Sequence, residues 1–167
     1  MPTLTLTLPA GRAIGIAAFS TIATNVDSRT ILPTANAGFF AGPFRIPYSF
    51  EPSRPSSLTV FIARGAGVFT PGDGVAINVA GSVCAPAAAA STFNLTTIFP
   101  APTTWPVDVI EPVLIDIDAN VFEPGDTIGL QVIRQGLNTG DTFPLNVLIA
   151  ASVDLNFRQR CQAVCCP

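Results

Sequence analysis

Acidic side chains gather in one part of the chain, where Glu111, Asp116, Asp118, Glu123 and Asp126 lie close in sequence. Glycoside hydrolysis needs two carboxylates facing each other across a groove. Asp116 and Asp118 are two residues apart on a strand-like stretch, so they stand side by side on one face, about 6 to 7 Å apart at Cα. A solvated strand face accounts for them without catalysis. The same stretch, Asp116-Ile117-Asp118-Ala119-Asn120, opens like a calcium loop. However, Val121 stands where the sharp turn needs Gly, and Thr127 where a bidentate Glu belongs, which excludes an EF-hand. A looser surface calcium site on Asp116, Asp118 and Asn120, with Asp126 nearby, stays open beside the reading as a strand end running into a turn. No other cofactor is indicated.

The chain of 167 residues contains no His, and its eight basic residues are all Arg. Absence of His removes the commonest general base and metal ligand, and absence of Lys removes Schiff-base chemistry. A cysteine nucleophile would need another base or an electropositive site to form thiolate, and no such arrangement is visible. The expectation is therefore a protein that is not an enzyme. Cys161, Cys165 and Cys166 sit together near the C-terminus, and Cys165 and Cys166 are adjacent, which does not suit paired zinc ligands. They are candidates for interchain disulfides because an exposed tail can reach a neighbouring chain; inert, reduced thiols are the alternative. Cys84 is expected in the core.

Only 11% of residues are charged and the net charge is −3, against about 25% charged in an ordinary soluble domain. So few charges predict that part of the surface is covered by a partner. The arginines are scattered apart from Arg158 and Arg160, so no basic stripe marks a nucleic-acid interface. No apolar run is long enough for a membrane helix. Met1-Pro2-Thr3-Leu4-Thr5-Leu6-Thr7-Leu8 alternates like a strand and lacks the basic start of a secretory leader. Asn94-Leu95-Thr96 matches the N-glycosylation acceptor, a short pattern that arises easily by chance.

The elements that must position these residues are strands. Sixteen Pro and thirteen Gly leave almost no window in which a helix of three turns could form uninterrupted. Strands are predicted at 58–63, 75–79, 113–118, 127–133 and 147–157 from β-branched content and alternation. Alternation puts Ile115 and Ile117 toward a core and Leu114, Asp116 and Asp118 on the wet side. Val153, Leu155 and Phe157 likewise face one way, opposite Asp154, Asn156 and Arg158. Two similar stretches, 69–75 and 122–128, each precede a strong strand. In each, Pro then Gly favours a type II turn (Pro71, Gly72; Pro124, Gly125), and Asp73 or Asp126 can bond back to it. Residues 1–42 read as an N-terminal arm or as first strands, with a hinge at 38–43. Residues 43–160 read as the sandwich and 161–167 as a Cys-rich tail. The connection from 84 to 106 reads as an ordered loop pinned by Phe93, Phe99 and Trp105. The fold expected is all-β: a jelly-roll-like antiparallel β-sandwich with an extended N-terminal arm.

Residues 124–136, Pro-Gly-Asp-Thr-Ile-Gly-Leu-Gln-Val-Ile-Arg-Gln-Gly, followed by Asp141-Thr142-Phe143 and the strand to Phe157, resemble the closing hairpin of jelly-roll domains in tailed-bacteriophage virion proteins. There a Gly-Asp-initiated strand ends in Arg, and an Asp-Thr-aromatic corner precedes the last strand. The resemblance implies a structural virion protein, a capsid decoration or cement subunit or a head or tail fibre domain, commonly homotrimeric. Its partners would be itself and the major capsid protein or other virion subunits, with no nucleic acid and no membrane. Two alternatives stand beside it. One is a carbohydrate- or receptor-binding module of a phage fibre, with Trp105, Phe99 and Tyr48 as stacking residues. The other is a subunit of an extracellular surface filament.

Overall fold

The computed structural model describes residues 3–15, 17–22 and 26–160. Among them are ten strands and no helix: β1 (Thr3–Ile14), β2 (Ala17–Ile22), β3 (Val26–Ile31), β4 (Asn36–Arg45), β5 (Ser56–Arg64), β6 (Gly74–Cys84), β7 (Ser91–Pro100), β8 (Glu111–Ile117), β9 (Thr127–Gln135) and β10 (Val147–Arg158). All pairings are antiparallel. In the first sheet β8 pairs with β5 and β5 with β10; the far edge of β10 pairs with β3 over residues 147–150 and with β1 over residues 152–158, and β2 lies outside β3. In the second sheet the order is β1, β4, β9, β6, β7.

β1 therefore serves both sheets. Residues 3–9 pair with β10, residues 10–14 pair with β4, and the register shifts between Ala10 and Ala13 where the strand turns the corner. A strand that switches sheets through an irregularity is how a sandwich closes one side without leaving two raw edges. The protein is an antiparallel β-sandwich of jelly-roll type.

Alternation explains the two layers. Leu58, Val60 and Ile62 of β5, Val113, Ile115 and Ile117 of β8, and Val153, Leu155 and Phe157 of β10 are buried. They meet Phe39 of β4, Val75, Ile77 and Val79 of β6, and Ile128, Leu130 and Val132 of β9 in one core. Leu114 is 60% exposed between buried Val113 and Ile115, as the sequence pattern requires.

Of the two readings open for residues 1–42, the described residues form first strands of the sandwich, and the boundary at 42 falls inside β4. Two other expectations change. The supposed hinge at 38–43 lies in the middle of the second sheet. Its small residues serve close approach, since a Cβ on Gly38 would lie 1.8 Å from the Val132 carbonyl oxygen. The connection from 84 to 106 contains an edge strand, β7, in which Phe93, Leu95 and Phe99 turn inward.

The two Pro-Gly-Asp turns match in geometry. Gly72 and Gly125 have φ of 91° and 90°, the third-position conformation of a type II turn that favours glycine. Asp73 N–H donates to the Thr70 carbonyl at 3.0 Å and Asp126 N–H to the Glu123 carbonyl at 3.1 Å. Each carboxylate reaches back, Asp73 Oδ2 accepting from Thr70 N–H at 2.8 Å and Asp126 Oδ2 from Glu123 N–H at 2.7 Å. The turns feed β6 and β9, antiparallel neighbours, so they cap opposite ends of the second sheet.

Candidate functional site

The outer face of the second sheet carries a groove of about 450 Å³. Its side chains come from four strands through register. Phe40 of β4 stands opposite Gln131 of β9, Gln131 opposite Ala80 of β6, and Ala80 opposite Asn94 of β7, which makes one row across the sheet. The next row runs Gly129, Ser82, Thr92. Phe40 is 37% exposed, and Ser82, Thr92 and Asn94 are exposed. A Cβ built on Gly129 meets nothing within 4 Å, so the floor is open there. No charged side chain lines the groove.

The polar atoms beside it are organised. Asn78, 5% exposed, donates its Nδ2 to Asn94 Oδ1, to the Leu95 carbonyl at 3.0 Å and to Thr96 Oγ1 at 3.0 Å. With its oxygen engaged, the Asn94 amide presents its NH2 group to the groove. A neutral site with one exposed ring, two amides and two hydroxyls can bind a neutral ligand that offers both an apolar face and hydroxyls.

The stacking residues read from the sequence do not form this site. Trp105 is 2% exposed; its Nε1–H donates to the Val109 carbonyl at 2.8 Å, and it packs against Phe99 and Phe143 with ring centroids 5.6 and 5.5 Å apart. It is a core residue, because the loop after β7 folds over the end of the sandwich and needs a large apolar plug. Phe99 turns inward and packs on that core. Tyr48 is 70% exposed, but it lies at the opposite end, against Gly125 and with the Arg45 guanidinium carbon 5.4 Å from its ring centroid.

The calcium candidates Asp116, Asp118 and Asn120 lie at and just beyond the end of β8. Asp116 lies on the outer face of the first sheet opposite Ser57. Asn120 has φ of 65° and donates its N–H to the Pro52 carbonyl at 2.7 Å. Asp126 is buried with its carboxylate committed to its own turn. Among the described residues no three Asp, Glu or Cys side chains come together to hold a metal. Cys84 is an exposed free thiol, contrary to the expected core position, because Val79 and Val83 take the inward parity of β6. Cys161, Cys165 and Cys166 lie outside the described residues.

The residues that carry the virion resemblance have a structural role. Arg134 and Asp141 form a fully buried, bidentate pair, with Nη2 to Oδ1 at 2.7 Å and Nε to Oδ2 at 2.9 Å. Arg134 also donates to the Leu145 and Phe143 carbonyls at 2.7 and 2.6 Å, and Asp141 accepts the Ala76 N–H at 3.1 Å. Thr142 Oγ1 accepts the Gly74 N–H at 2.8 Å. The strand-ending Arg and the Asp-Thr-Phe corner thus clamp the loop before β10 onto β6 and β9. On the surface, the Ser53 hydroxyl, donating to Glu51 at 2.8 Å, holds the Glu51 carboxyl below the usual range; the Ser53 N–H and the Arg160 and Arg54 charges add to it.

No family model and no curated protein matches the chain. Solved structures of similar outline include the CBM22-1–GH10 modules of Clostridium thermocellum endo-1,4-beta-D-xylanase 10B complexed with xylohexaose. There the TM-score is 0.48 at 9% identity, over 96% of this chain and 29% of that one. The CBM22-1 xylan-binding domain of Paenibacillus barcinonensis Xyn10C gives 0.46 at 7% identity, over 92% and 87%. Arabinose-bound MgGH51 α-L-arabinofuranosidase gives 0.46 at 10%, over 90% and 23%. At scores this low they bear on neither ligand nor activity here.

Proposed function

We propose that this chain is a non-catalytic binding module whose groove on the second sheet holds a neutral glycan. One observation carries the reading: an uncharged groove in which an exposed ring, two amides and two hydroxyls converge over a floor of Ala80 and Gly129. A sugar ring has an apolar C–H face that stacks on an aromatic and a rim of hydroxyls that needs both donors and acceptors, which Asn94 and Gln131 supply together. A charged ligand would lose hydration there without gaining a counter-charge. One ring and a shallow floor predict weak binding, with Kd on the order of 0.1 to 1 mM for a short oligosaccharide.

The test is binding of the full chain to immobilised neutral polysaccharides and to a glycan array. Phe40→Ala removes the stacking face, and Gly129→Val fills the open floor with a residue suited to a strand. Retention on at least one neutral glycan, lost in both variants while circular dichroism is unchanged, supports the reading. No retention on any glycan, or retention unaffected by both variants, overturns it.

A second reading, a structural subunit of a phage particle, rests on the sparse charge and on exposed Val68, Val107, Val109, Ile110 and Leu137, an apolar surface that suits packing against other subunits. It predicts saturable binding of the purified chain to capsids stripped of accessory proteins; capsids that bind none of it count against this reading.

A further inference from the structure

β7 ends the second sheet, and among the described residues no strand lies beyond it. Edge strands are normally guarded by charge, proline or a bulge, because their free N–H and C=O groups recruit other strands. β8, at the edge of the first sheet on the same side, has such guards in Glu111, Pro112 and Asp116. β7 has none along its length. Its ten residues carry no ionisable side chain, its one proline is the last residue, and it pairs with β6 from Ser91 to Pro100 without a register shift. It is long, free of bulges and uncharged.

We propose that β7 pairs antiparallel with β7 of a second copy of this chain, about a two-fold axis at Thr96. Antiparallel partners share a face only when facing positions have matching parity. Centring on Thr96 meets this condition, placing Phe93 opposite the second copy's Phe99 and Leu95 opposite its Thr97 on the core side. Phe93, Leu95 and Phe99 are half-buried at the rim of the core, and aromatic pairs across strands are among the favourable ones. No position along β7 brings like charges together, so the strand pairing itself carries no electrostatic penalty. β8 could not self-pair as cheaply, since Pro112 offers no N–H to a partner strand and Glu111 and Asp116 place carboxylates along the edge. In this arrangement the two outer grooves open on the same face of one continuous sheet, and a ligand presented on a surface can engage both. The association itself is independent of what the groove binds.

The experiment is sedimentation equilibrium of the full chain under reducing conditions, so that thiols cannot link copies, together with the Thr96→Lys variant. Thr96 faces outward, and the substitution puts two ammonium groups at the axis. The expected results are a mass of two chains for the wild type and association weakened at least about tenfold in the variant, with unchanged circular dichroism. Should the variant misfold, hydrogen exchange of the wild type decides: protection at 91–100 must rise with protein concentration. A monomer at every concentration, a trimer, a dimer indifferent to Thr96→Lys, or concentration-dependent protection confined to another strand overturns the proposal.

Discussion

Removing Asp141 tests how much of the sandwich depends on the clamp between β9 and the loop before β10. Arg134 has no exposed surface, and its guanidinium is balanced by the Asp141 carboxylate and two backbone carbonyls. Asp141→Ala leaves that charge in the core with the carbonyls alone, and it also strips the Ala76 N–H of its acceptor. Breaking a buried pair from one side costs about 3 to 5 kcal/mol, and an orphaned buried N–H costs about 1 to 3 kcal/mol more where water cannot reach it. Against a total stability of about 5 to 15 kcal/mol, the variant is expected to lose at least about 3 kcal/mol, close to a 10 °C fall in Tm for a domain of this size. Arg134→Met should cost a similar amount, since it leaves the carboxylate unpaired. The double variant should fall well short of the sum, with a coupling of about 2 kcal/mol or more. Urea unfolding of the four proteins, with m held constant, measures each term. A loss below about 1 kcal/mol for Asp141→Ala, or additive single losses, would refute the reasoning.

Trp105→Ala should cost about 3 to 5 kcal/mol as a core truncation yet leave glycan affinity per folded molecule unchanged, which calorimetry on the folded fraction checks; a large affinity loss would return Trp105 to the site. Glu51 should titrate below an ordinary glutamate by NMR, and Ser53→Ala should raise its pKa, since the hydroxyl is the main cause of the lowering. Because the folded-state pKa is the depressed one, the small stabilisation is present at neutral pH and fades as pH falls through that value.

Much of the fold was legible because a strand writes its faces into alternate residues. Leu114 and Asp116 outside, and Ile115 and Ile117 inside, follow from period two alone, and the paired Pro-Gly-Asp turns announced their hydrogen bonds through residue type. β7 shows the same alternation, Phe93, Leu95 and Phe99 against Thr92, Asn94 and Thr96, but the Ala run and prolines around it read as a loop. Cys84 was misplaced by residue type, a habitually buried thiol on the outward parity of β6. The groove could not be read ahead. Phe40, Ser82, Asn94 and Gln131 meet only through the strand order β4, β9, β6, β7, and strand order is a long-range outcome that no local pattern encodes. Conversely, the lone Trp looked like a ligand platform because aromatic stacking and core filling require the same side chain.

Chemical-shift mapping of the isotope-labelled chain with a neutral oligosaccharide addresses the groove most directly. The amides of Phe40, Ser82, Asn94, Gly129 and Gln131 should move together in a saturable titration while those around Trp105 and Tyr48 stay still. Shifts centred on Tyr48 or on the outer face of the first sheet, or spectra unchanged across the neutral sugars, would contradict the account.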